Sequence, residues 1–216
     1  MVMIIAIDGP SASGKSTTAK GVAKKLKILH IDTGAMYRAI TYVLKNDRIV
    51  YKNEKVLSDY LKGVEISFNN QNEVCFNGTC ISKDIRSKAV TEMVSNISAL
   101  NLVRKKMVLS QRKIAKNRNC ILDGRDIGSV VFPDAKYKFF LDADIKDRAK
   151  RRLKEYSSYG EKITYQEVLK QLKKRDRLDS NRKISPLIRS KDAILIDTSK
   201  LTIEQQIEKI ISFIKS

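Results

Sequence analysis

Five short runs of nearly continuous apolar residues recur along the chain, and each is typical of a strand buried on both faces of a parallel sheet. The runs occupy residues 3–8, 28–32, 120–123, 138–143 and 193–197. Between them lie segments whose apolar residues recur at helical spacing, as at Val22, Ala23 and Leu26. This alternation predicts an α/β fold of three layers, α/β/α, around a central parallel sheet.

The loop after the first run carries the most specific chemical signal. It fits G-x-x-x-x-G-K-[ST] at Gly9, Gly14, Lys15 and Ser16, between a predicted strand and a predicted helix. Glycines let backbone N–H groups curl around phosphate oxygens, and the following helix adds its positive N-terminal dipole. Lys15 is placed to reach the β- and γ-phosphates, and the Ser16 hydroxyl to bind Mg²⁺. We therefore predict that a nucleoside triphosphate is bound through Gly9, Pro10, Ser11, Ala12, Ser13, Gly14, Lys15, Ser16 and Thr17.

Polar residues follow the second and third apolar runs, at the edge where open α/β sheets place their ligands. Arg38 lies shortly after the second run. Asp123 ends the third run, and we expect it opposite the phosphate loop as a second Mg²⁺ ligand. His30, the only histidine, lies inside the second run, so it is interpreted as a packed strand residue with no assigned role.

The middle of the chain departs from the α/β pattern. Residues 64–68 alternate apolar and polar residues, residues 69–72 predict a polar turn, and residues 74–81 contain an Asn-Gly hairpin signal. Together they predict a small antiparallel insert, for which a functional subdomain and a plain surface hairpin both stay open. Farther along, Ser98 and Asn101 are cap-forming residues that predict a break between two helices.

The helix that begins at Thr164 carries charges where its apolar stripe should continue. Val168 and Leu172 define its inward face. Offsets of four and seven residues rotate by only ~40° and ~20°, so later positions fall on that same face. They are Arg175, Asp179 and Arg182. Because buried charges persist only when they are paired or bind a ligand, we predict a functional site there.

The charge balance is strongly basic, with 43 Lys and Arg against 24 Asp and Glu and a formal net charge of +19. It fits either a nucleic-acid surface or an enzyme for polyanionic nucleotides. Scattered lysines without interleaved aromatic residues favour the second interpretation. No apolar run approaches ~18 residues and no signal-like segment precedes the first run, so we expect neither a membrane span nor secretion.

The three cysteines, Cys75, Cys80 and Cys120, lack a metal-binding spacing and are expected to be free thiols in a cytoplasmic protein. The hairpin register would set Cys75 opposite Cys80. A disulfide between them is therefore conceivable on geometric grounds, although two reduced thiols are favoured.

Several blocks of the sequence resemble those of bacterial cytidylate kinases, which are P-loop nucleoside monophosphate kinases. The phosphate loop is shared by very many proteins, whereas residues 31–38 (IDTGAMYR) and 122–128 (LDGRDIG) are specific. Further matching blocks lie at residues 130–135, 175–182 and 196–198, so the resemblance covers nearly the full length.

This resemblance implies phosphoryl transfer from ATP to CMP or dCMP with Mg²⁺, a step of pyrimidine nucleotide metabolism. It implies that the CMP phosphate is held by Arg38, Arg125 and Arg182, and the ribose by Arg175 and Asp179. It implies that cytosine is read by Thr33, Ser95, Arg104 and Asp126. It also implies that the catalytic residues acting on the transferring phosphoryl group are Lys15, Arg125, Arg148 and Arg152.

We expect a single domain in three parts. These are a P-loop core (residues 1–58, 118–146 and 190–216), a monophosphate-binding insert region (residues 59–117), and a lid with flanking helices (residues 147–189). The polar residues 155–160 are expected to let the lid bend. The expected partners are the small-molecule substrates ATP and CMP or dCMP, with no membrane or nucleic acid and a monomeric state.

Two other functions stay open at this point. One is a kinase for another small acceptor, such as UMP, AMP or an alcohol. The other is a P-loop regulator or RNA-binding ATPase, which the basic charge suggests and the inward arginines and aspartate disfavour.

Overall fold

The computed structural model describes residues 2–69, 71–158, 160 and 162–215. Asn70 of the predicted turn and Tyr159 and Glu161 of the predicted lid lie outside the described residues. The chain forms two compact units, of which the first comprises Met1–His30 and Arg118–Ser216 and the second comprises Ile31–Asn117.

Strands alternate with single helices or with pairs of consecutive helices along most of the chain, and three short strands follow one another in the second unit. The strands are β1 (Ile4–Asp8), β2 (Leu29–Asp32), β3 (Ile66–Phe68), β4 (Val74–Phe76), β5 (Thr79–Cys80), β6 (Cys120–Gly124), β7 (Tyr137–Asp142) and β8 (Ile194–Asp197). The helices are α1 (Lys15–Leu26), α2 (Thr33–Asn46), α3 (Glu54–Lys62), α4 (Lys88–Ile97), α5 (Asn101–Ala115), α6 (Ile145–Ser158), α7 (Tyr165–Asn181) and α8 (Ile203–Lys215). A 3₁₀ turn forms at Asp84–Arg86 and a π-helical turn at Ile127–Val131.

The main sheet has five strands in the order β2-β6-β1-β7-β8. Strand β1 pairs in parallel with both β6 and β7, and Asp8 lies in register with Gly124. Each of the five strands coincides with one apolar run, and no strand end differs from the corresponding end of its run by more than one residue. The predicted fold class, a central parallel sheet with helices on both sides and a small antiparallel sheet, is confirmed.

The core of the first unit lies where α1 and α8 cover β1, β6, β7 and β8. Ile7, Val22, Phe139 and Ile210 are completely or almost completely buried there. Gly21 permits the close approach of the two helices, since a Cβ at that position would lie 2.2 Å from Cδ1 of Ile207. Burial of this apolar surface is the dominant stabilising term for such a layer.

The second unit contains helices α2 to α5 and an antiparallel sheet of order β3-β4-β5. The predicted helix break is confirmed, because α4 ends at Ile97 and α5 begins at Asn101. The predicted capping roles are wrong in detail. Ser98 is the C-cap of α4, and Leu100 is the N-cap of α5, where it provides no side-chain hydrogen bond.

The hairpin register places Cys75 directly opposite Cys80, as predicted. The structure contains a disulfide between them, which corrects the expectation of two reduced thiols. Directly opposed residues in an antiparallel pair bring their Cβ atoms close together, so the pairing itself supplies the proximity that the bond needs. Cys120 is a buried free thiol. No helix among the described residues is long and apolar enough to cross a membrane.

Candidate active site

The predicted phosphate loop connects β1 to α1 in the structure. Gly9 has φ 151° and Gly14 has φ 91°, conformations that L side chains rarely adopt. A Cβ on Gly9 would lie 2.1 Å from the carbonyl oxygen of Leu141, so only glycine fits between β1 and the end of β7. The predicted glycine positions are therefore required by this turn.

Side chains from the C-terminal third of the chain hold the carbonyl groups of this loop. The Thr198 hydroxyl donates to the Ser13 carbonyl at 2.9 Å. The guanidinium of Arg148 donates to the Ser11 carbonyl at 3.2 Å, and that of Arg151 to the Ser13 carbonyl at 3.4 Å. These bonds turn the loop carbonyls toward the protein, the arrangement in which loop N–H groups can face an anion.

Two polar side chains in and beside the loop are deeply buried. Lys15 is 6 % exposed, and its ammonium group donates to the Pro10 carbonyl at 2.8 Å. Burial lowers its pKa well below the ordinary value, and the charge of Arg125 lowers it further. The buried Ser13 hydroxyl has no hydrogen-bond partner within the described part of the chain. A buried ammonium and an unsatisfied hydroxyl are both suited to a phosphate ligand.

Ser16, Asp123 and His30 form one hydrogen-bonded row. The Ser16 hydroxyl donates to one carboxylate oxygen of Asp123, and Nε2 of His30 lies 2.8 Å from the other. Burial by itself would raise the pKa of Asp123, but the hydrogen bond and charge of His30 lower it below its ordinary value. Asp123 therefore stays ionised beside the predicted Mg²⁺ ligand Ser16.

The oxygen atoms of Ser16 and Asp123 fit Mg²⁺, which takes one or two protein oxygens and completes its shell with water and substrate phosphates. Among the described residues, no group of three or more His, Cys, Asp or Glu side chains is arranged to hold a metal by itself.

The charged residues of α7 face inward as predicted and meet at Asp179. Nε of Arg125 donates to Asp179 at 2.8 Å, while Arg175 and Arg182 each approach its carboxylate to 4.0 Å. Arg182 also lies 3.9 Å from Oδ1 of Asp126. Burial would raise the pKa of Asp179, but the charges of Arg125 and Arg175 hold it below the ordinary value. Five predicted CMP ligands of the first unit are thus joined in one cluster of basic and acidic side chains.

The two arginines predicted for the lid have defined partners in this structure. Arg148 is buried and bonds Oδ2 of Asp176 at 2.7 Å and the Ala143 carbonyl at 2.9 Å. Arg152 donates to Glu155 at 2.8 Å, and its guanidinium carbon lies 4.7 Å from the ring centre of Tyr156.

The other four predicted CMP ligands belong to the second unit, where two of them lie near the start of α2. Thr33 is its first residue and is buried. Arg38 follows and donates to the Thr91 hydroxyl at 2.9 Å and to the Ile85 carbonyl at 3.5 Å. These contacts attach the Arg38 guanidinium to the 3₁₀ turn and to α4.

Ser95 and Arg104 lie on either side of the break between α4 and α5. The buried Arg104 donates to the Ser98 carbonyl at 3.1 Å, and the Ser98 hydroxyl donates to the Ser95 carbonyl at 3.1 Å. The Arg104 guanidinium carbon also lies 5.3 Å from the ring centre of Tyr37. Ser98 thus links the Arg104 guanidinium to the backbone of Ser95 across the break.

Three residues of this region are not identified from the sequence. The sequence pattern assigns His30 only a place in an apolar strand, and it assigns no role to Asp8 or Arg151. Asp8 accepts hydrogen bonds from the N–H groups of Ile127 and Gly128. Only its position at a strand end, directly before the phosphate loop, offered a signal.

Comparisons with known proteins concern the sequence and the fold of this chain. The family model described as cytidylate kinase matches residues 5–216. A cytidylate kinase of Clostridium botulinum (strain Langeland) is 50 % identical over 212 residues, covering 98 % of this chain and 97 % of that protein. One from Acholeplasma laidlawii is 44 % identical over 212 residues, covering 98 % and 95 %.

Among solved structures, an uncharacterized protein from Eubacterium ventriosum superposes with a TM-score of 0.56 at 16 % identity, covering 99 % of both chains. At that identity the likeness concerns the fold alone. The family match and the relatives near 50 % identity cover almost the whole chain, and on that basis this protein belongs to the cytidylate kinase family.

Proposed function

We propose that this protein transfers the γ-phosphoryl group of ATP to CMP or dCMP, as a step of pyrimidine nucleotide metabolism. A phosphate oxygen of the monophosphate attacks the γ-phosphorus, the bond to the β-phosphate oxygen breaks, and ADP leaves with that electron pair. The observation that carries the proposal is the arginine cluster around Asp179, in the same unit as a complete phosphate loop. Two anionic substrates repel each other, and such a cluster offsets the repulsion.

On the donor side, the loop from Gly9 to Thr17 holds the ATP phosphates, with Lys15 directed at the β- and γ-phosphates. The buried ammonium of Lys15 and the unsatisfied hydroxyl of Ser13 support this assignment. Ser16 and Asp123 would hold Mg²⁺. When bound, the metal neutralises charge on the phosphates during the transfer.

On the acceptor side, Arg38, Arg125 and Arg182 hold the phosphate of CMP. Arg175 and Asp179 bind the ribose hydroxyls, for which the ionised carboxylate of Asp179 offers acceptors and Arg175 offers donors. Positioning and charge stabilisation provide most of the catalysis in phosphoryl transfer, so these residues do the main work of the enzyme.

Cytosine is read by complementary donors and acceptors. Arg104 has only donors, which suit O2 and N3, and an ionised Asp126 has only acceptors, which suit the N4 amino group. Thr33 and Ser95 complete this base site. UMP in the same pose would oppose its N3–H to a guanidinium and its O4 to a carboxylate. Each such mismatch costs about 1–3 kcal/mol, so we expect kcat/KM to favour CMP by about 100-fold or more.

Arg148 and Arg152 are proposed to stabilise charge on the transferring group as parts of a lid. Each would first have to exchange its present contacts, those of Arg148 with Asp176 and those of Arg152 with Glu155. The division into a core, a monophosphate-binding insert (residues 59–117) and a lid (residues 147–189) belongs to the same proposal. A cytoplasmic location and a monomeric state are also part of it, and gel filtration with light scattering tests the latter.

The deciding experiment is a coupled assay of ADP formation with ATP and Mg²⁺ across CMP, dCMP, UMP and AMP, with and without added RNA. We expect high turnover with CMP and dCMP and no response to RNA. Equal use of UMP or AMP would indicate a kinase for another acceptor. ATP hydrolysis that needs RNA but no monophosphate would indicate an RNA-dependent ATPase, and either result would overturn the proposal.

A further inference from the structure

Asp8 has a defined place in the site without being assigned to ATP, CMP or metal. It is the last residue of β1, directly before the phosphate loop, and its exposed fraction is 5 %. Its two carboxylate oxygens accept separate hydrogen bonds, one from the N–H of Ile127 and one from the N–H of Gly128, both at 2.8 Å. Strand β1 also pairs with β6 at this point, where Asp8 lies opposite Gly124.

These two N–H groups begin the π-helical turn Ile127–Val131, whose N-cap is Asp126. The first N–H groups of a helical turn lack partners within the turn and need acceptors from elsewhere. An aspartate at the N-cap ordinarily supplies that acceptor with its own carboxylate. Here the Asp126 side chain makes no capping hydrogen bond. Instead, Asp126 approaches Arg182 to 3.9 Å and belongs to the cluster around Asp179.

We propose that Asp8 caps this turn in place of Asp126 and so keeps the Asp126 carboxylate directed at the base of the acceptor nucleotide. Asp8 is then a positioning residue for base selection, although it touches neither substrate. The inference rests on the proposed assignment of Asp126 to the cytosine amino group. Asp8 also links the proposed base site to the proposed ATP site along the chain, because the next residue, Gly9, begins the phosphate loop.

The Asp8→Asn variant tests the proposal because an amide group keeps the shape but offers only one acceptor oxygen. Its NH₂ group would face a backbone N–H, and the Asp126 carboxylate would turn back to accept from Gly128 or Ser129. We expect the ratio of kcat/KM for CMP to that for UMP to fall about tenfold, the order expected for one lost buried hydrogen bond. The KM for ATP should change by less than about threefold on the same reasoning.

A double-mutant cycle with Asp126→Asn separates positioning from a general structural effect. If Asp8 acts through Asp126, the double variant should show the CMP-to-UMP ratio of Asp126→Asn alone. Equal losses for CMP and UMP in Asp8→Asn, or additive effects in the double variant, would overturn the proposal. Asp197→Asn is a matched control. Asp197 also ends a strand of the same sheet and accepts two hydrogen bonds, both from Ser199, and we expect its replacement to leave the ratio unchanged.

The same series separates this inference from the function on which it rests. If Asp126→Asn leaves the ratio unchanged, the assignment of Asp126 to the base is wrong, and this inference is wrong with it. If Asp126→Asn lowers the ratio and Asp8→Asn does not, only the inference is wrong.

A measurement on the unaltered protein covers the case in which Asp8→Asn does not fold. NMR couplings across hydrogen bonds should connect the amide nitrogens of Ile127 and Gly128 to the carboxyl carbon of Asp8. Their absence, or a coupling to the carboxyl carbon of Asp126 instead, would overturn the proposal.

Discussion

The two units of this protein hold their arginines in different ways. In the first unit, Arg125, Arg175 of α7 and Arg182 at its C-terminal end converge on the single buried carboxylate of Asp179. In the second unit, Arg38 donates to a hydroxyl and a carbonyl, and Arg104 donates to a carbonyl while lying over the ring of Tyr37.

This difference predicts different sensitivities. Removing one member of a buried ion cluster leaves the others without compensation, so the first unit should respond strongly to the loss of a charge. In the second unit, a helix-end carbonyl and an aromatic ring orient the guanidinium of Arg104, and these contacts depend on its planar fork. Activity should therefore respond there to a substitution that changes the shape of the side chain at constant charge. Four experiments address this contrast, in order of decreasing expected effect.

Replacing the central carboxylate should have the largest effect. In Asp179→Ala, three guanidinium groups lose their shared partner, and breaking a buried pair costs about 3–5 kcal/mol. We expect the KM for CMP to rise by about 100-fold or more on that basis, and the KM for ATP to rise much less. Steady-state kinetics with each substrate varied in turn gives the result. Equal effects on both KM values would show that Asp179 lies outside the acceptor site. The control is Asp59→Asn, which removes an exposed carboxylate paired with Lys62 and should change neither KM value.

A second experiment tests the buried charge of the first unit through pH. Burial raises the pKa of Asp8 from 3.8 to about 6. A carboxyl whose folded-state pKa is raised stabilises the fold fully below about pH 4, and this contribution is lost as the pH rises through about 6. The free energy of unfolding of the wild type, relative to Asp8→Asn, should therefore fall by about 2 kcal/mol between pH 4 and pH 7. Urea titrations across this range measure it, and a constant difference would contradict the assigned pKa.

The third experiment concerns the disulfide of the second unit. Closing a loop of about six residues stabilises a fold by about 2 kcal/mol in the chain-entropy treatment, so Cys80→Ser should lower the free energy of unfolding by that order. Thiol titration of the denatured, unreduced wild type should find one reactive thiol, that of Cys120. Three reactive thiols would show that Cys75 and Cys80 are reduced in the purified protein.

The smallest effect is expected for a change of shape at constant charge. Arg104→Lys keeps the positive charge but loses the planar fork that bonds Ser98 and lies over Tyr37. We expect kcat/KM for CMP to fall by about tenfold, equivalent to the loss of one buried hydrogen bond. The exposed Arg112, on the same helix, provides the control as Arg112→Lys. An unchanged CMP-to-UMP ratio in Arg104→Lys would argue against base reading by Arg104.

Elements with a strong local pattern were predicted from the sequence, whereas helix α3, the 3₁₀ turn and the π-helical turn were not. Five apolar runs became the five strands of the parallel sheet, and a glycine-rich spacing became the loop from β1 to α1. The inward charges of α7 followed from helical periodicity alone, and the helix predicted to begin at Thr164 has that residue as its N-cap. The break before Asn101 was predicted correctly but with the wrong caps, because Ser98 ends one helix rather than beginning the next.

The tertiary structure decided how distant residues combine. The sequence placed His30 in an apolar strand, but only the pairing of strands sets it 2.8 Å from Asp123. It placed Asp8 before the phosphate loop, but the fold brings its carboxylate to two N–H groups about 120 residues away. Periodicity reports which face of a helix or strand is buried, since that depends on neighbours a few residues apart. Which partner meets a buried polar group depends on contacts across the whole chain, because such groups take whichever donor or acceptor the packed fold provides.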